Sequence, residues 1–448
     1  MMMKILILTG RKAEKKVVLA SVETDSDVYF LGVRRLRVMT ECLGIIHLAS
    51  YLESQGWDFD PAFVADEDVI VDYCQGAVVG ISTQINNYGN SLHLAKIAKA
   101  NDAKLVVMGG PHATNVAEQI IRNQPDVDIV VRGQGEVALH KILEADSFAH
   151  GVVEEEHLSF HLLPPRNRSL WSQIWKDEDV SLSGRKWSII SFTEGCPQAQ
   201  SGNPCVFCSI RHAKKFSCRT VEQMVEEMKQ LQALGIGALE VGDDDFPGVF
   251  SKKQLRKLLE AIQTAGIDLK FFIHARAVSI VDLEHLEMLK EMGVEIIQTG
   301  FESGDAEIKT LIGISGKTDK ATLEQEDRLI EWCQQAGIKL QATFVVGIPS
   351  ETMSSMQRTL DRAKELVEKN VLWALMIDPL IPLPGSRAFK ILCEKHPELT
   401  NEDRIDTERW IKTWFSDFTT VDLQQFLRLR TEMLFQLDVT VAGMLLKI

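Results

Sequence analysis

Residues 187–208 read Trp187-Ser188-Ile189-Ile190-Ser191-Phe192-Thr193-Glu194-Gly195-Cys196-Pro197-Gln198-Ala199-Gln200-Ser201-Gly202-Asn203-Pro204-Cys205-Val206-Phe207-Cys208. An apolar run leads straight into a loop that carries three cysteines at C-x8-C-x2-C spacing. The run has the character of a buried strand. Three thiols on a loop at the top of such a strand can ligate three irons of a [4Fe–4S] cluster and leave the fourth iron without a protein ligand. An open position is what a cluster needs to bind a substrate-like ligand, as catalytic zinc sites also show. His212 lies four residues past Cys208, so zinc at C-x2-C-x3-H is the competing reading of the same stretch. Cys42, Cys74, Cys218, Cys333 and Cys393 stand apart and read as small core residues.

Working outward, strand patterns recur at 187–193, 237–242, 269–275, 294–300, 338–346 and 372–378, with helical patterns at 220–235, 251–265, 282–292, 321–336 and 353–369. Six such units make a barrel or partial (β/α)6 barrel, whose active groups collect at the C-terminal ends of the strands. Residues 386–448 read as a helical C-terminal region, with Trp410 and Trp414 spaced i, i+4 as core residues. Upstream, strands fit 4–9, 58–64, 77–82, 104–109 and 128–131, and helices fit 41–55, 88–101, 113–123 and 134–144. This is an α/β, doubly wound, Rossmann-like pattern. Its ligand belongs beyond the carboxyl ends of the strands, where Ser82-Thr83-Gln84 and Gly109-Gly110-Pro111-His112 lie. His47 and His93 fall on helices and read as structural. Residues 11–40 read as a long first loop, and 146–186, with Pro164-Pro165, as a linker. The division is therefore 1–145, 146–186, 187–385 and 386–448.

The chain has 448 residues, 45% hydrophobic and 25% charged, which is ordinary for a globular protein. A net charge of −14 speaks against a general nucleic-acid binder. No apolar run is long enough for a bilayer. The start, Met1 to Leu8 followed by Thr9-Gly10 and basic residues, reads as a first strand and not a signal peptide. Reduced thiols and a cytoplasmic location follow as expectations.

With these motifs in place, residues from about 187 to 385 resemble the radical S-adenosylmethionine enzymes. That family usually spaces its cysteines C-x3-C-x2-C; here the first gap holds eight residues. The resemblance implies that Cys196, Cys205 and Cys208 hold the cluster and that Phe207 lies against the adenine. It implies further contacts at successive strand ends. Gly242-Asp243-Asp244-Asp245 would accept from the methionine ammonium, the alternative being a solvated acidic turn. Arg276 would hold the methionine carboxylate in a bidentate grip, the alternative being a structural ion pair. Glu302 and Ser303, within Gly300-Phe301-Glu302-Ser303-Gly304, would bond ribose and carboxylate groups. Gly347 and Ile348, within Val346–Thr352, would form the apolar turn beside the adenine, the glycine allowing close backbone approach. Pro382-Leu383-Pro384-Gly385-Ser386 resembles the segment that closes the barrel.

The preceding α/β domain resembles the cobalamin-binding domain of one branch of that family. Where such domains give cobalt a histidine, the pattern is Asp-x-His-x-x-Gly, then Ser-x-Leu, then Gly-Gly. Here Asp66-Glu67-Asp68 has no histidine, Ser82-Thr83-Gln84 keeps the serine, and Gly109-Gly110 is intact. The resemblance implies cobalamin bound without a protein histidine on cobalt. Ser82, Thr83, Gly109, Gly110, Pro111 and His112 would line it, with His112 as a loop hydrogen-bonder. The alternative is a domain that has lost its ligand. Arg132-Gly133-Gln134-Gly135-Glu136 also resembles a segment of this branch.

The resemblance further implies a reaction. A donor such as flavodoxin or ferredoxin reduces the cluster, which cleaves S-adenosylmethionine to methionine and a 5′-deoxyadenosyl radical. The radical takes hydrogen from a small-molecule or peptide substrate. Cobalamin makes C-methylation of an unactivated carbon the leading outcome, with rearrangement, cyclisation or a cobalamin-independent reaction as alternatives. A methylthiotransferase would want three more cysteines upstream, where only Cys42 and Cys74 occur. A non-enzymatic iron–sulfur scaffold or sensor would lack the full set of S-adenosylmethionine contacts. Neither nucleic acid nor membrane is an expected partner.

Overall fold

The computed structural model describes residues 3–23, 42–147, 149–174, 181–182, 184–200, 202, 204–210, 216–313, 319–401 and 405–436. The chain divides into two compact units. The first comprises Met1–Ser188, Ser217–Ile236 and Glu398–Ile405, and the second Ile189–Phe216, Gly237–Pro397 and Asp406–Ile448.

The first unit is a mixed sheet. β1 (Lys4–Lys12) and β2 (Lys15–Val22) form an antiparallel hairpin in which Lys12 faces Lys15. Ala13 turns the corner at φ 53°. This corrects the reading of 11–40 as one loop: residues 15–22 are a strand, and 24–41 lie outside the described residues. The basic cluster Arg11, Lys12, Lys15 and Lys16 marks a hairpin tip, after which Val17-Val18-Leu19-Ala20 returns to buried alternation. β3 (Asp58–Phe59) and β4 (Phe63–Asp66) replace the single strand expected at 58–64. Pro61 falls in the break, since it cannot donate to a ladder. β5 (Val78–Ser82), β6 (Leu105–Gly109), β7 (Ile129–Val131) and β8 (Gly151–Val153) complete the order β3-β1-β2-β5-β6-β7-β8. From β2 to β8 the pairing is parallel. β8 comes from the stretch read as a linker.

Both faces of this sheet are covered. Ile5, Ile7, Val18 and Ala20 join one core with Ile70 and Cys74 of α2 (Glu67–Cys74) and Leu94 and Ala95 of α3 (Tyr88–Ala100). The alternate residues Leu6, Leu8, Val17 and Leu19 are equally buried on the other face, where α1 (Leu43–Ser54) packs on β1 and β2. Period-two alternation with both sets apolar is what a doubly wound sheet requires.

A charged knot lies within the same unit. Glu227, on the helix Val221–Ala233, accepts from Arg166 Nη1 at 3.1 Å and Arg168 Nε at 2.8 Å. Arg219 donates to the carbonyls of Leu163 (2.7 Å) and Pro164 (3.0 Å) and stacks over Phe160 at 4.2 Å. His47 sits between Arg219 (3.0 Å at Nε2) and Glu136 (3.2 Å at Nδ1). An arginine can only donate and a carboxylate only accept, so His47 is the neutral Nδ1–H tautomer. Burial first, then Arg166, Arg219 and Arg168, holds its pKa well below the usual value.

The barrel strands are β9 (Arg185–Ile190), β10 (Ala238–Val241), β11 (Lys270–His274), β12 (Val294–Glu302), β13 (Lys339–Val346) and β14 (Leu372–Pro379), and the second unit holds all of them but the first four residues of β9. They lie side by side in chain order, parallel from β10 to β14, and each lies within three residues of its expected place. Helices cover the intervals, several started by capping boxes such as Ser251/Gln254 and Thr352/Ser355. One helix, Ala306–Ile312, had no sequence signal; Asp305 caps it and Gly313 ends it in the left-handed region at φ 90°. Among the described residues no helix is long and apolar enough to cross a membrane.

Candidate functional site

The cysteine loop leaves β9 through Phe192 and Thr193. Both amides donate to Asp243 Oδ1, at 2.8 and 3.1 Å. Asp243 therefore fixes the start of the loop; its other oxygen is buried without a hydrogen-bond partner. Burial pushes its pKa up to about 6, against those two amides. After Cys196 a single helical turn, Pro197–Gln200, takes up part of the long gap. The second turn closes on itself, with Cys208 N donating to Cys205 O at 3.0 Å. Val206, 2% exposed, anchors it from beneath. Its amide donates to Ile312 O (3.2 Å) and its carbonyl accepts from Ala388 N (2.9 Å). Phe207 is half-buried beside it.

The three thiols share one electrostatic environment. Cys205 is pushed up to about 12, first by burial and then by Glu302, Cys208 and Cys196. Cys208 is raised by burial, with Asp244, Cys196 and Glu302 adding to it. Such thiols bind iron only by releasing protons, as metal sites do. Among the described residues no three Cys, His, Asp or Glu side chains are grouped so as to hold a single metal ion. His212, the ligand the zinc reading needs, lies outside the described residues. The donor set of three thiols on one loop is the set a [4Fe–4S] cluster takes.

The acidic turn after β10 splits its work. Asp245 is buried and accepts from Arg276 Nε at 2.8 Å, Arg276 N at 3.2 Å and Ser279 Oγ at 2.7 Å. Asp244 is exposed. Of the three carboxylates it alone is exposed and so open to an ammonium, and Gly242 beside it is exposed as well. Arg276 is held at Nε by Asp245 and at Nη1 by Gln198 Oε1, 3.0 Å away. Gln198 also donates to Gly313 O at 2.8 Å. The eight-residue gap thus supplies a side chain that ties the cysteine loop to the arginine. Nothing in the spacing alone pointed to Gln198.

Glu302 ends β12 at φ +60°, with its carboxylate folded back over Gly300. Burial pushes its pKa up to about 7, against the pull of Lys309. Ser303 is fully buried; its hydroxyl pairs with Thr359 Oγ1 at 3.0 Å and accepts from Asp305 N at 3.1 Å. It belongs to the framework under Glu302. The turn after β13 is clamped. Gly347 N and Ile348 N donate to Glu351 Oε2 at 2.6 and 3.0 Å, and Trp414 Nε1 donates to Gly347 O at 2.6 Å. A side chain at Gly347 would strike the Phe415 ring at 2.6 Å, and its φ is +106°. Trp410 and Trp414 are buried, as their spacing implied, and Trp414 supports the turn directly.

In the first unit the loops after β5 and β6 are zipped together. Thr83 N donates to Gly109 O (2.8 Å) and His112 N to Thr83 O (3.2 Å). Gly110, at φ +99°, lies where a Cβ would meet Thr83 O at 2.7 Å, so this glycine serves the loop–loop contact. The Thr83 hydroxyl is buried without a hydrogen-bond partner. Ser82 meets Cys42 Sγ at 3.4 Å. Pro111 opens a short helix. The His112 ring packs edge-on against Tyr88 at 4.7 Å, and burial lowers its pKa to about 4. Its backbone, and not its ring, makes the loop hydrogen bond. Gln134 exchanges two hydrogen bonds with the Leu158 backbone, at 3.0 and 2.7 Å, which gives the Arg132–Glu136 segment a structural role. Cys42, Cys74 and Cys333 are buried as expected, whereas Cys218 and Cys393 are only half-buried.

Residues 190–363 match the profile of the radical SAM superfamily, and residues 32–143 match that of the B12 binding domain. The chain carries a radical SAM domain and a B12 binding domain. It is 26% identical to an uncharacterized methyltransferase of Pyrococcus horikoshii over 86% of each chain. It is 24% identical to the anaerobic magnesium-protoporphyrin IX monomethyl ester cyclase of Rubrivivax gelatinosus, over 78% of this chain and 66% of the cyclase. In fold it matches the radical S-adenosylmethionine methyltransferase TsrM of Kitasatospora setae, solved with cobalamin and a [4Fe–4S] cluster. That match has a TM-score of 0.64 at 16% identity and covers 81% of this chain and 76% of TsrM.

The buried titratable groups of the radical SAM and B12-binding parts predict opposite responses to acid. In the first unit His47 and His112 have depressed pKa values. The unfolded chain then binds more protons below about 6.5, and that unit loses stability as pH falls from 7 to 5. In the second unit Asp243, Glu302, Glu326 and Glu351 are raised to about 6–7. There the folded state binds more protons, outweighing His285, the one lowered histidine among the described residues of that unit, so that unit gains stability over the same window. Hydrogen exchange at pH 7 and 5, corrected for intrinsic rates, should show less protection at 78–109 and more at 294–346.

Proposed function

We propose that this chain is a cobalamin-dependent radical methyltransferase that methylates an unactivated carbon of a small-molecule or peptide substrate. The observation that carries the reading is the placing of Cys196, Cys205 and Cys208 on one loop, whose entry Asp243 fixes and which Gln198 ties to Arg276, itself braced by Asp245. When bound, the cluster and S-adenosylmethionine supply hydrogen-abstracting radical chemistry, and cobalamin supplies a methyl carrier. The chain's own residues bind and orient. Arg276, braced by Asp245 and Gln198, offers its guanidinium to the methionine carboxylate. Asp244 accepts from the ammonium. Glu302 accepts from hydroxyls or the ammonium beside the thiols. The clamped Gly347–Ile348 turn presents backbone to the adenine with Phe207. The loops at Ser82–Thr83 and Gly109–His112 receive the cobalamin tail, with no histidine given to cobalt. An electron carrier of the flavodoxin or ferredoxin type supplies the electron.

The methyltransferase name of the Pyrococcus relative supports the methyl-transfer outcome. The cyclase relatives favour ring closure as the second reading. The test is to incubate reconstituted protein with S-adenosylmethionine and dithionite and to follow products by mass spectrometry. The proposal expects both 5′-deoxyadenosine and S-adenosylhomocysteine when cobalamin is loaded. 5′-Deoxyadenosine alone would favour ring closure, and neither product would overturn the reading. Gln198→Ala should weaken S-adenosylmethionine binding about 3- to 10-fold by freeing one side of Arg276, with iron content unchanged. Equilibrium dialysis measures it, and unaltered affinity would remove Gln198 from the site.

A further inference from the structure

Behind Glu302 lies a buried ion pair that the proposed chemistry does not use. Lys309, in the helix Ala306–Ile312, and Glu326, in the helix Asp319–Ala336, are each 1% exposed. Lys309 Nζ donates to Glu326 Oε1 and also to the carbonyl of Phe301. That carbonyl belongs to an unusual piece of backbone. The β12–β13 register runs Gly300↔Thr343 and then Glu302↔Phe344, so Phe301 is bulged out of the ladder. Ser303 N donates to the same Phe301 O at 2.7 Å, closing a three-residue turn around Glu302 at φ +60°. A turn of this kind with a left-handed centre is rare and strained, and persists only where its surroundings over-determine it. Bulges at strand ends re-aim side chains. This one sends the Glu302 carboxylate back over Gly300.

A buried Lys–Glu pair is a poor device for stability, because apolar residues of the same size do as well or better. Besides Glu326, its ammonium holds the carbonyl of Phe301, the residue before Glu302. We propose that Lys309, held in place by Glu326, is a positioning residue that locks the strained turn at Phe301–Ser303 and so aims the Glu302 carboxylate at S-adenosylmethionine. This rests on the reading of Glu302 as a contact of that ligand.

The test compares Lys309→Met/Glu326→Leu, Glu302→Gln and the triple variant. The Met/Leu pair removes both charges together, so no lone buried charge is left to unfold the chain. In the cofactor-free protein, hydrogen exchange of the peptide covering 301–304 should speed up, with the melting temperature at or above the parent's. In the reconstituted protein, iron content should be unchanged and S-adenosylmethionine binding about tenfold weaker, the equivalent of one charge-assisted hydrogen bond. Glu302→Gln should be weakened similarly, and the triple variant no further, because both act through one carboxylate. Additive losses, or parental affinity in the Met/Leu variant beside a weakened Glu302→Gln, overturn the positioning role. Parental affinity in Glu302→Gln overturns the reading beneath it as well. If the Met/Leu variant does not fold, Lys309→Arg decides: it keeps a donor for the Phe301 carbonyl and should retain protected 301–304 amides and near-parental affinity, and loss of both contradicts the proposal.

Discussion

Cys205→Ala leaves a folded protein that no longer retains iron and sulfide after anaerobic reconstitution, and its formation of 5′-deoxyadenosine drops to the no-enzyme level. The expectation follows from how the loop is built. Cys205 sits on a turn whose shape comes from neighbouring backbone: Val206 bonds Ile312 O and Ala388 N, and Cys208 N bonds Cys205 O. Removing the thiol leaves those bonds in place, so the fold should lose no more than about 1 kcal/mol. The chemistry has no such reserve, because the open iron requires all three protein ligands on the others. Cys196→Ala and Cys208→Ala should behave alike. Cys74→Ala and Cys333→Ala remove fully buried side chains; they should cost stability and keep the cluster. Iron and sulfide counts with the absorption spectrum check this. A Cys205→Ala protein that still held four irons would show that a different residue ligates, and the site would have to be redrawn.

The second large effect is on stability. Glu227→Ala should destabilise the first unit by about 3–5 kcal/mol, the usual cost of breaking a buried pair by removing one partner. Glu227 is 1% exposed, and its carboxylate meets Arg166 and Arg168, which are 3% and 0% exposed. Burial by itself would raise its pKa; Arg166 and Arg168 outweigh that and hold it below the usual range. Without it, Arg168 and Arg166 lose that carboxylate, while Arg166 and Arg219 stay buried over Phe160. Replacing Glu227, Arg166 and Arg168 together by leucine or methionine should recover most of the loss, since the cost lies in the uncompensated charge. Urea denaturation followed by fluorescence of the buried Trp171 measures both variants. A loss below about 1 kcal/mol for Glu227→Ala would mean that these charges are solvated and their pairing weak.

The cysteine loop, the six barrel strands and the glycine pair of the first domain were all legible in the sequence, because each depends on local pattern. Strand periodicity survives any tertiary context, and cysteine spacing is chemistry written in a line. The hairpin strand at 15–22 was hidden because its flanking lysines mimic a loop. What the sequence could not show was how one polar residue engages another at long range. Asp243, Asp244 and Asp245 look alike in the chain. The structure gives Asp243 to the amides of Phe192 and Thr193, gives Asp245 to Arg276 and Ser279, and leaves Asp244 exposed. Ser303 looked like a ligand group and is buried in framework contacts. Gln198, Val206 and Lys309 had no signal, since each matters through a partner distant in the chain.

The most direct measurement is anaerobic reconstitution with iron, sulfide and hydroxocobalamin, followed by desalting and an absorption spectrum. The account predicts that the broad [4Fe–4S] band and the cobalamin bands both stay with the protein. Retention of the cluster alone would contradict the assignment of the Ser82–Thr83 and Gly109–His112 loops to cobalamin. Loss of both would contradict the central claim that this chain is a two-cofactor radical enzyme.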